Sequence, residues 1–480
     1  MHRIQRAALI AVCAAIGGFT IPGVAALAGT QASPRATVPA ADWTTYHHDR
    51  FRTGDGSITG SFTSLHPRFV WHLPTPLPAE RNDAMYASPL IDGDVAIVTT
   101  LQNRVFAVST VTGKTLWART LGAPYAQPGG ACGDIGPTIG IVSTPIIDEG
   151  RNELFVVGAI GTGPGGHAQS HRLFGLSMTT GKVLYERSVD PPGQQLLFLL
   201  QRPALAITKG RVIVGFGGND GDCGNYHGWV ESIAESGTSR IDRYEVAAGS
   251  GQGKGAVWMG GAAPTIDKAG NVYVADGNGN ATSSHDAYDH SDAVLKLTPS
   301  MQLLDWFAPT TWYSDNASDL DLGSGAPQLL GDGLILQVGK TETGYLLNPL
   351  HLGHIDGSVR TFSVCAGLGK SNGADALVGN LVVVPCDGGL DAVHVSTTAP
   401  YGTTKWTSVS AGSPVYAAGL VWAISGSTGG STLYALNPSN GNAKLRYNFG
   451  AVLNHFATPS VGDNMVFVAA ATTLLAFPPG

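Results

Sequence analysis

The sequence predicts an all-β chain folded as an eight-bladed β-propeller, each blade a four-stranded antiparallel sheet and the last blade closed by an N-terminal strand. Three observations carry this expectation. Glycine makes up 65 of the 480 residues and only 13% are charged, against usual shares of about 7% and 25%. Short β-branched and aromatic runs recur in eight units, and the seven steps from Pro89 to Pro459 span 370 residues, about 53 per unit. The eighth unit lacks its final strand, and a matching strand, RFVWHL (68–73), stands at the other end of the chain.

The same composition excludes other classes. Low charge with 15 Phe, 14 Tyr and 9 Trp supplies apolar surface that a disordered chain lacks. The glycines have no period of three, which excludes collagen. Glycine is a poor helix former, and here it punctuates strand-like runs, which argues against a helical bundle.

Residues 1–28 place Arg3 and Arg6 ahead of an apolar stretch from Ala7 to Ile16, which contains Cys13, and end on Ala26-Leu27-Ala28. This is the pattern of a secretory signal peptide. Gly17, Gly18, Thr20 and Pro22 interrupt the run before it reaches the ~20 apolar residues of a membrane span. The expectation is a secreted or extracytoplasmic protein with no transmembrane segment after cleavage. Residues 29–66 then form a linker, rich in Ser, Thr, Pro and Ala up to Ala41, and an N-terminal lead-in segment; residues 67–480 form the propeller. Cleavage removes two Arg and no acid, leaving 26 basic and 35 acidic residues, a net charge of −9. No basic stripe is present, so nucleic acid is not an expected partner.

Each unit opens with a small residue and Pro, at Pro89, Pro145, Pro203, Pro264, Pro327, Pro414 and Pro459, with Ala374 standing in once. From there four strands follow, A to D. In the first unit B is DVAIVTT (94–100), C is RVFAVS (104–109) and D is TLWART (115–120). In such a meander the A-to-B and C-to-D turns share one face, and the B-to-C and D-to-A connections share the other. The A-to-B turns are short. The long loops are B-to-C (160–171, 218–228, 276–292) and D-to-A (122–140, 309–325), so all fall on one face, the expected functional face. A linear solenoid would not explain the displaced eighth strand.

Four cysteines remain after cleavage, Cys132, Cys223, Cys365 and Cys386, all on that face. An even number in an exported chain points to disulfides. Pairing Cys132 with Cys223 and Cys365 with Cys386 joins a D-to-A loop to a nearby B-to-C loop in each case. The loops are also rich in oxygen ligands: Asp276, Asn278, Asn280, Asp286, Asp289 and Asp292 in one, Asp315, Asn316, Asp319 and Asp321 in the next. Such oxygens suit Ca²⁺ and equally serve backbone turns; composition leaves both open. His167, His171, His227, His285 and His290 share the face without metal-ligand helical spacing, and are expected to be surface or hydrogen-bonding residues.

Eight blades with Thr112-Gly113-Lys114-x-x-Trp117 and the weaker Thr180-Gly181-Lys182-x-x-Tyr185 resemble the quinoprotein alcohol dehydrogenase fold, whose members bind pyrroloquinoline quinone (PQQ) and often Ca²⁺. The resemblance runs from Trp43-Thr-Thr-Tyr46-x-x-Asp49 to residue 480. It implies Trp258 as the floor under the quinone, Asn278 and Asp321 as Ca²⁺ ligands, Asp319 as the catalytic base and Lys340 as the contact to the quinone oxygens. The adjacent Cys-Cys pair that covers the quinone in many such enzymes is absent, and no Cys-x-x-Cys-His occurs, so no haem is expected. Outer-membrane assembly lipoproteins of the superfamily keep the blades and bind no quinone, and fold does not fix function. The first expectation is therefore a non-catalytic binding or scaffold protein, a monomer that takes a protein, glycan or small-molecule ligand on its long-loop face. The alternative is a PQQ- and Ca²⁺-dependent oxidoreductase of an alcohol or sugar.

Overall fold

The computed structural model describes residues 42–480 except 75–82, 129–131, 250, 332, 359, 410 and 427–429. The proposed signal peptide and the linker up to Ala41 lie outside the described residues. Eight antiparallel sheets follow one another in chain order. In the first blade, A is Leu90–Asp92, B is Val95–Thr99, C is Arg104–Ser109 and D is Thr115–Thr120. Strands B and C are β-branched and buried almost throughout, because neighbouring blades cover both faces; the outer strand D is exposed. The core is accordingly divided into clusters between blades, such as Leu90, Ile97, Val105, Ile147, Val156 and Phe174 between the first and second.

The eighth blade consists of Ser460–Gly462, Met465–Ala470, Thr473–Phe477 and, as strand D, the N-terminal Phe69–His72, in register Trp71↔Leu474. This pairing closes the ring and removes the free edge that its last three strands would otherwise present.

The repeated Gly and Trp of the units form a latch between blades. Trp117 in strand D of the first blade donates Nε1–H to Met178 O of the second at 2.7 Å. Its ring lies where a Cβ at Gly181 would stand, and Gly181 has φ +64°. Trp406 and Gly441 repeat the arrangement between the sixth and seventh blades. Only glycine meets both demands, the left-handed turn and the approach of an indole.

The lead-in segment winds around the A-to-B end of the channel. Trp43 and Ile91 exchange backbone hydrogen bonds; Ile147 N–H donates to Thr44 O, Ile266 N–H to Arg50 O, Leu377 N–H to Thr53 O and Tyr416 N–H to Gly54 O. Inner A strands of a ring present unpaired backbone groups to the channel, and this segment satisfies them blade by blade. The buried Arg52 guanidinium fastens it, donating to Pro264 O, Thr45 Oγ1, Tyr46 O and Asp49 O.

Several loop expectations change. Strands B and C of the second blade extend through Glu153–Thr162 and Ala168–Ser177, so most of that long loop is hairpin. The 309–325 loop contains a helix, Trp312–Ser318. Two blades carry a fifth short strand: Leu199–Leu200 beside strand B of the third, and His354–Ile355 parallel to strand D of the fourth. Disulfides join Cys132 to Cys223 and Cys365 to Cys386. Among the described residues no helix is long and apolar enough to cross a membrane.

Candidate functional site

Trp258, Asn278, Asp319, Asp321 and Lys340 come from loops of three successive blades and meet at the mouth of the channel on the long-loop face. Trp258 precedes a single turn, Met259–Gly261. A Cβ at Gly261 (φ +84°) would strike the Arg202 guanidinium, so only glycine at the end of this turn leaves room for Arg202 beside it. Asp319 ends the 312–318 helix in the left-handed conformation (φ 55°, ψ 48°), which turns the chain back toward Asn278.

Lys340 Nζ lies 2.8 Å from Asp319 Oδ1 and 2.5 Å from Asp321 Oδ2, and Lys370 Nζ lies 3.7 Å from Asp319 Oδ2. Asn278 Nδ2 donates to Asp319 Oδ1 (3.1 Å) and Asn278 N–H to Asp321 Oδ1 (2.8 Å). Burial alone would raise the Asp319 carboxyl, but hydrogen bonding and charge from Lys340, with Lys370 and Asn278, hold it below the usual carboxylate range. Burial alone would lower Lys340, and Asp321 and Asp319 outweigh it, keeping the ammonium above its ordinary value. The Lys340 ammonium also stands 5.6 Å from the centre of the Trp258 ring.

Four residues at the site gave no signal in the sequence. Phe456 packs edge-on to Trp258 at 6.1 Å between centroids and holds φ +62°, a costly conformation for an aromatic residue. Arg202 lies 5.4 Å from the Phe456 ring. Lys370 supplies a second cation. Asp222 lies in the loop tied by Cys223; burial first, then Asp321 and Asp319, push its carboxyl up, while the Tyr226 hydroxyl that it accepts pulls it down. Each comes from a different loop, so no local spacing marks them.

The other acidic loop residues mainly bond backbone. Asp276 Oδ1 accepts Ala293 N–H, Asp292 Oδ1 accepts Leu322 N–H, and Asp286 Oδ2 accepts Thr282 and Ser283 N–H. Burial, and then the nearest carboxylates, push Asp276 and Asp292 well above the carboxylate range. The histidines are similar: His167 bonds Ala126 O, His171 pairs with Asp190 and His227 bonds Val246 O.

A family profile described as outer membrane protein assembly factor BamB matches residues 65–297. The fold is similar to quinohemoprotein alcohol dehydrogenase from Comamonas testosteroni, with a TM-score of 0.68 at 16% identity over 91% of this chain and 80% of that one. The chain has the eight-bladed β-propeller fold of these quinoprotein dehydrogenases, with a PQQ-repeat profile match confined to residues 65–297. A europium-containing methanol dehydrogenase gives 0.64 at 13% identity over 89% of each chain, and BamB from Moraxella catarrhalis 0.53 at 14% over 87% and 98%. At these identities the likeness is one of fold. No curated protein matches the sequence.

Whether this propeller offers a fit to Ca²⁺ and quinone turns on which oxygens are free. Both carboxylates that would face Ca²⁺ already hold the Lys340 ammonium, and both Asp321 oxygens are engaged. Asn278 Oδ1 is buried without a partner, as are Asp276 Oδ2, Asp289 Oδ2 and Asp292 Oδ2 of the same loop, four oxygens where Ca²⁺ takes six to eight. As arranged, the donor set does not fit Ca²⁺, and no step is derived through it or through a quinone.

Proposed function

We propose that this propeller is a non-catalytic, extracytoplasmic binding protein that takes a glycan at the axial mouth of its long-loop face. The observation that carries the reading is Lys340 seated between Asp319 and Asp321: the chain supplies its own counter-ion, and the carboxylate that would serve as base is held acidic. A general base works best with a pKa near the working pH, and Asp319 is shifted away from it. What the mouth offers is a partly exposed Trp258 beside Phe456, an exposed Asp319 and the ammonium of Lys370. An aromatic face flanked by hydrogen-bonding groups suits a sugar ring and its hydroxyls. Two disulfides in the loops accord with an oxidising compartment.

One observation favours a second reading, a PQQ- and Ca²⁺-dependent oxidoreductase: Asn278 Oδ1, buried and unpartnered, lies beside Asp319. That reading requires Lys340 to yield a carboxylate. Melting temperature and tryptophan fluorescence, measured with an oligosaccharide panel and separately with PQQ plus CaCl₂, distinguish the two. We expect an oligosaccharide to stabilise the wild type and not Trp258→Ala, and PQQ with CaCl₂ to leave the melting temperature unchanged. A saturable shift with PQQ and CaCl₂ overturns the binding reading, because a specific cofactor stabilises the fold by mass action.

A further inference from the structure

Arg202 stands beside Phe456 without a counter-ion. The residue is 7% exposed, and its guanidinium lies 5.4 Å from the Phe456 ring, which packs edge-on to Trp258. Among the described residues no hydrogen bond or ion pair reaches that guanidinium, although it carries five N–H donors in a rigid fork. Arg52 shows the contrast: equally buried, it spends its donors on Pro264 O, Thr45 Oγ1, Tyr46 O and Asp49 O.

The groups that could satisfy Arg202 are committed elsewhere. Its charge is felt by Tyr46, Tyr86 and Asp134. The Tyr46 hydroxyl contacts Thr458 Oγ1 at 3.4 Å, and the Asp134 carboxylate lies 3.2 Å from His455 Nδ1. The other two cations described at the mouth are matched, Lys340 by Asp319 and Asp321, and Lys370 at longer range by Asp319. Burial pulls Arg202 below its ordinary pKa, yet a guanidinium does not release its proton in a protein. An unpaired buried charge is costly, and a ligand that brings the missing anion relieves the cost.

We infer that the sugar bound at the mouth is acidic and that Arg202 receives its carboxylate, an assignment that rests on the glycan reading and adds the class of sugar, a uronic acid. The planar fork of Arg matches a carboxylate with two parallel N–H···O bonds. Trp258 and Arg202 both flank the partly exposed Phe456 ring, so a sugar chain lying across it meets an aromatic face and a guanidinium together. Tyr86 stands ready as a further donor. Among the described residues its hydroxyl makes no hydrogen bond; burial and then Asp134 push the phenol up, and the Arg202 charge pulls against them.

Titration of the full chain with trimers of galacturonate, glucuronate and mannuronate, each against its methyl ester, tests the assignment by tryptophan fluorescence, because the ester keeps the ring and removes the charge. We expect at least one acid trimer to bind the wild type about tenfold or more tighter than its ester, with an advantage that shrinks as NaCl is raised. Arg202→Gln should bind acid and ester equally, and should melt no lower than wild type, since it removes an unpaired buried charge. Arg202→Lys, which keeps the charge without the fork, should hold part of the preference. Equal binding of acid and ester by the wild type overturns the acidic-sugar assignment and leaves the glycan reading standing. An acid preference retained in Arg202→Gln also overturns it, by moving the carboxylate to Lys370 or another cation. No fluorescence change with any acid or ester trimer removes the glycan reading and this assignment with it.

Discussion

Lys340 and Asp321 are joined twice: Nζ to Oδ2 at 2.5 Å, and backbone N–H to O at 3.0 Å. Both side chains are about nine-tenths buried, so removing one partner leaves a charge that water reaches poorly. Lys340→Met should cost about 2–3 kcal/mol, somewhat below the 3–5 kcal/mol of a fully buried pair. Asp319→Asn, at a side chain 67% exposed, should change stability by less than about 1 kcal/mol. Urea denaturation compares the two; equal losses would show that Asp319, not Asp321, is the structural partner of Lys340.

Buried acids make stability depend on pH in an unusual direction. Burial pushes the Asp375 carboxyl up to about 8, while an unfolded Asp titrates near 3.9. Between those values the folded state binds a proton that the unfolded state has lost, so stability falls as pH rises. Glu231, raised to about 7 by burial against the opposing Arg243, acts the same way up to neutrality. The urea midpoint should therefore be higher at pH 5 than at pH 8. Asp375→Asn should flatten that slope by at most about 1.4 kcal/mol per pH unit, one proton's worth. An unchanged slope would show that Asp375 is ionised in the folded protein.

The two disulfides should differ in reducibility. Cys365 and Cys386 are buried, whereas Cys132 and Cys223 are partly exposed. Dithiothreitol on the native protein should open Cys132–Cys223 first, and peptide mapping after alkylation would reveal the order. Its loss should cost about 2–4 kcal/mol. Simultaneous alkylation of all four would mean that reduction follows global unfolding.

Trp43 is 1% exposed among residues of the first, seventh and eighth blades. Trp43→Ala should cost about 3–5 kcal/mol, although the residue lies outside every blade. A thermal midpoint within a degree of wild type would show that the lead-in segment is an accessory rather than part of the core.

Strands B, C and D were legible because each pairs a β-branched run with a glycine turn, and the displaced strand RFVWHL matched the gap in the eighth unit. The course of residues 43–56 was not, because they contribute backbone carbonyls to the A strands and backbone carries no residue signature. At the channel mouth, Trp258, Asn278, Asp319, Asp321 and Lys340 could be singled out because a family resemblance orders them along the chain. That Lys340 would bridge both carboxylates was hidden, since it depends on the αL turn at Asp319. Phe456 and Lys370 lie more than a hundred residues from Trp258 and are common residue types without a local pattern. The crossing of 348–358 toward the fourth blade was missed because a two-residue parallel strand, His354–Ile355, has no periodicity to read.

The pairing of Phe69–His72 with Thr473–Phe477 sets the timetable of folding. A strand near the start of the chain waits for a partner some 400 residues away, and closing a loop of that length costs on the order of 5 kcal/mol in chain entropy. A contact of such high order is among the last to form. Until that contact forms the ring is therefore an open arc with sticky edges at both ends, and any damage to the C-terminal strand exposes the N-terminal one as well.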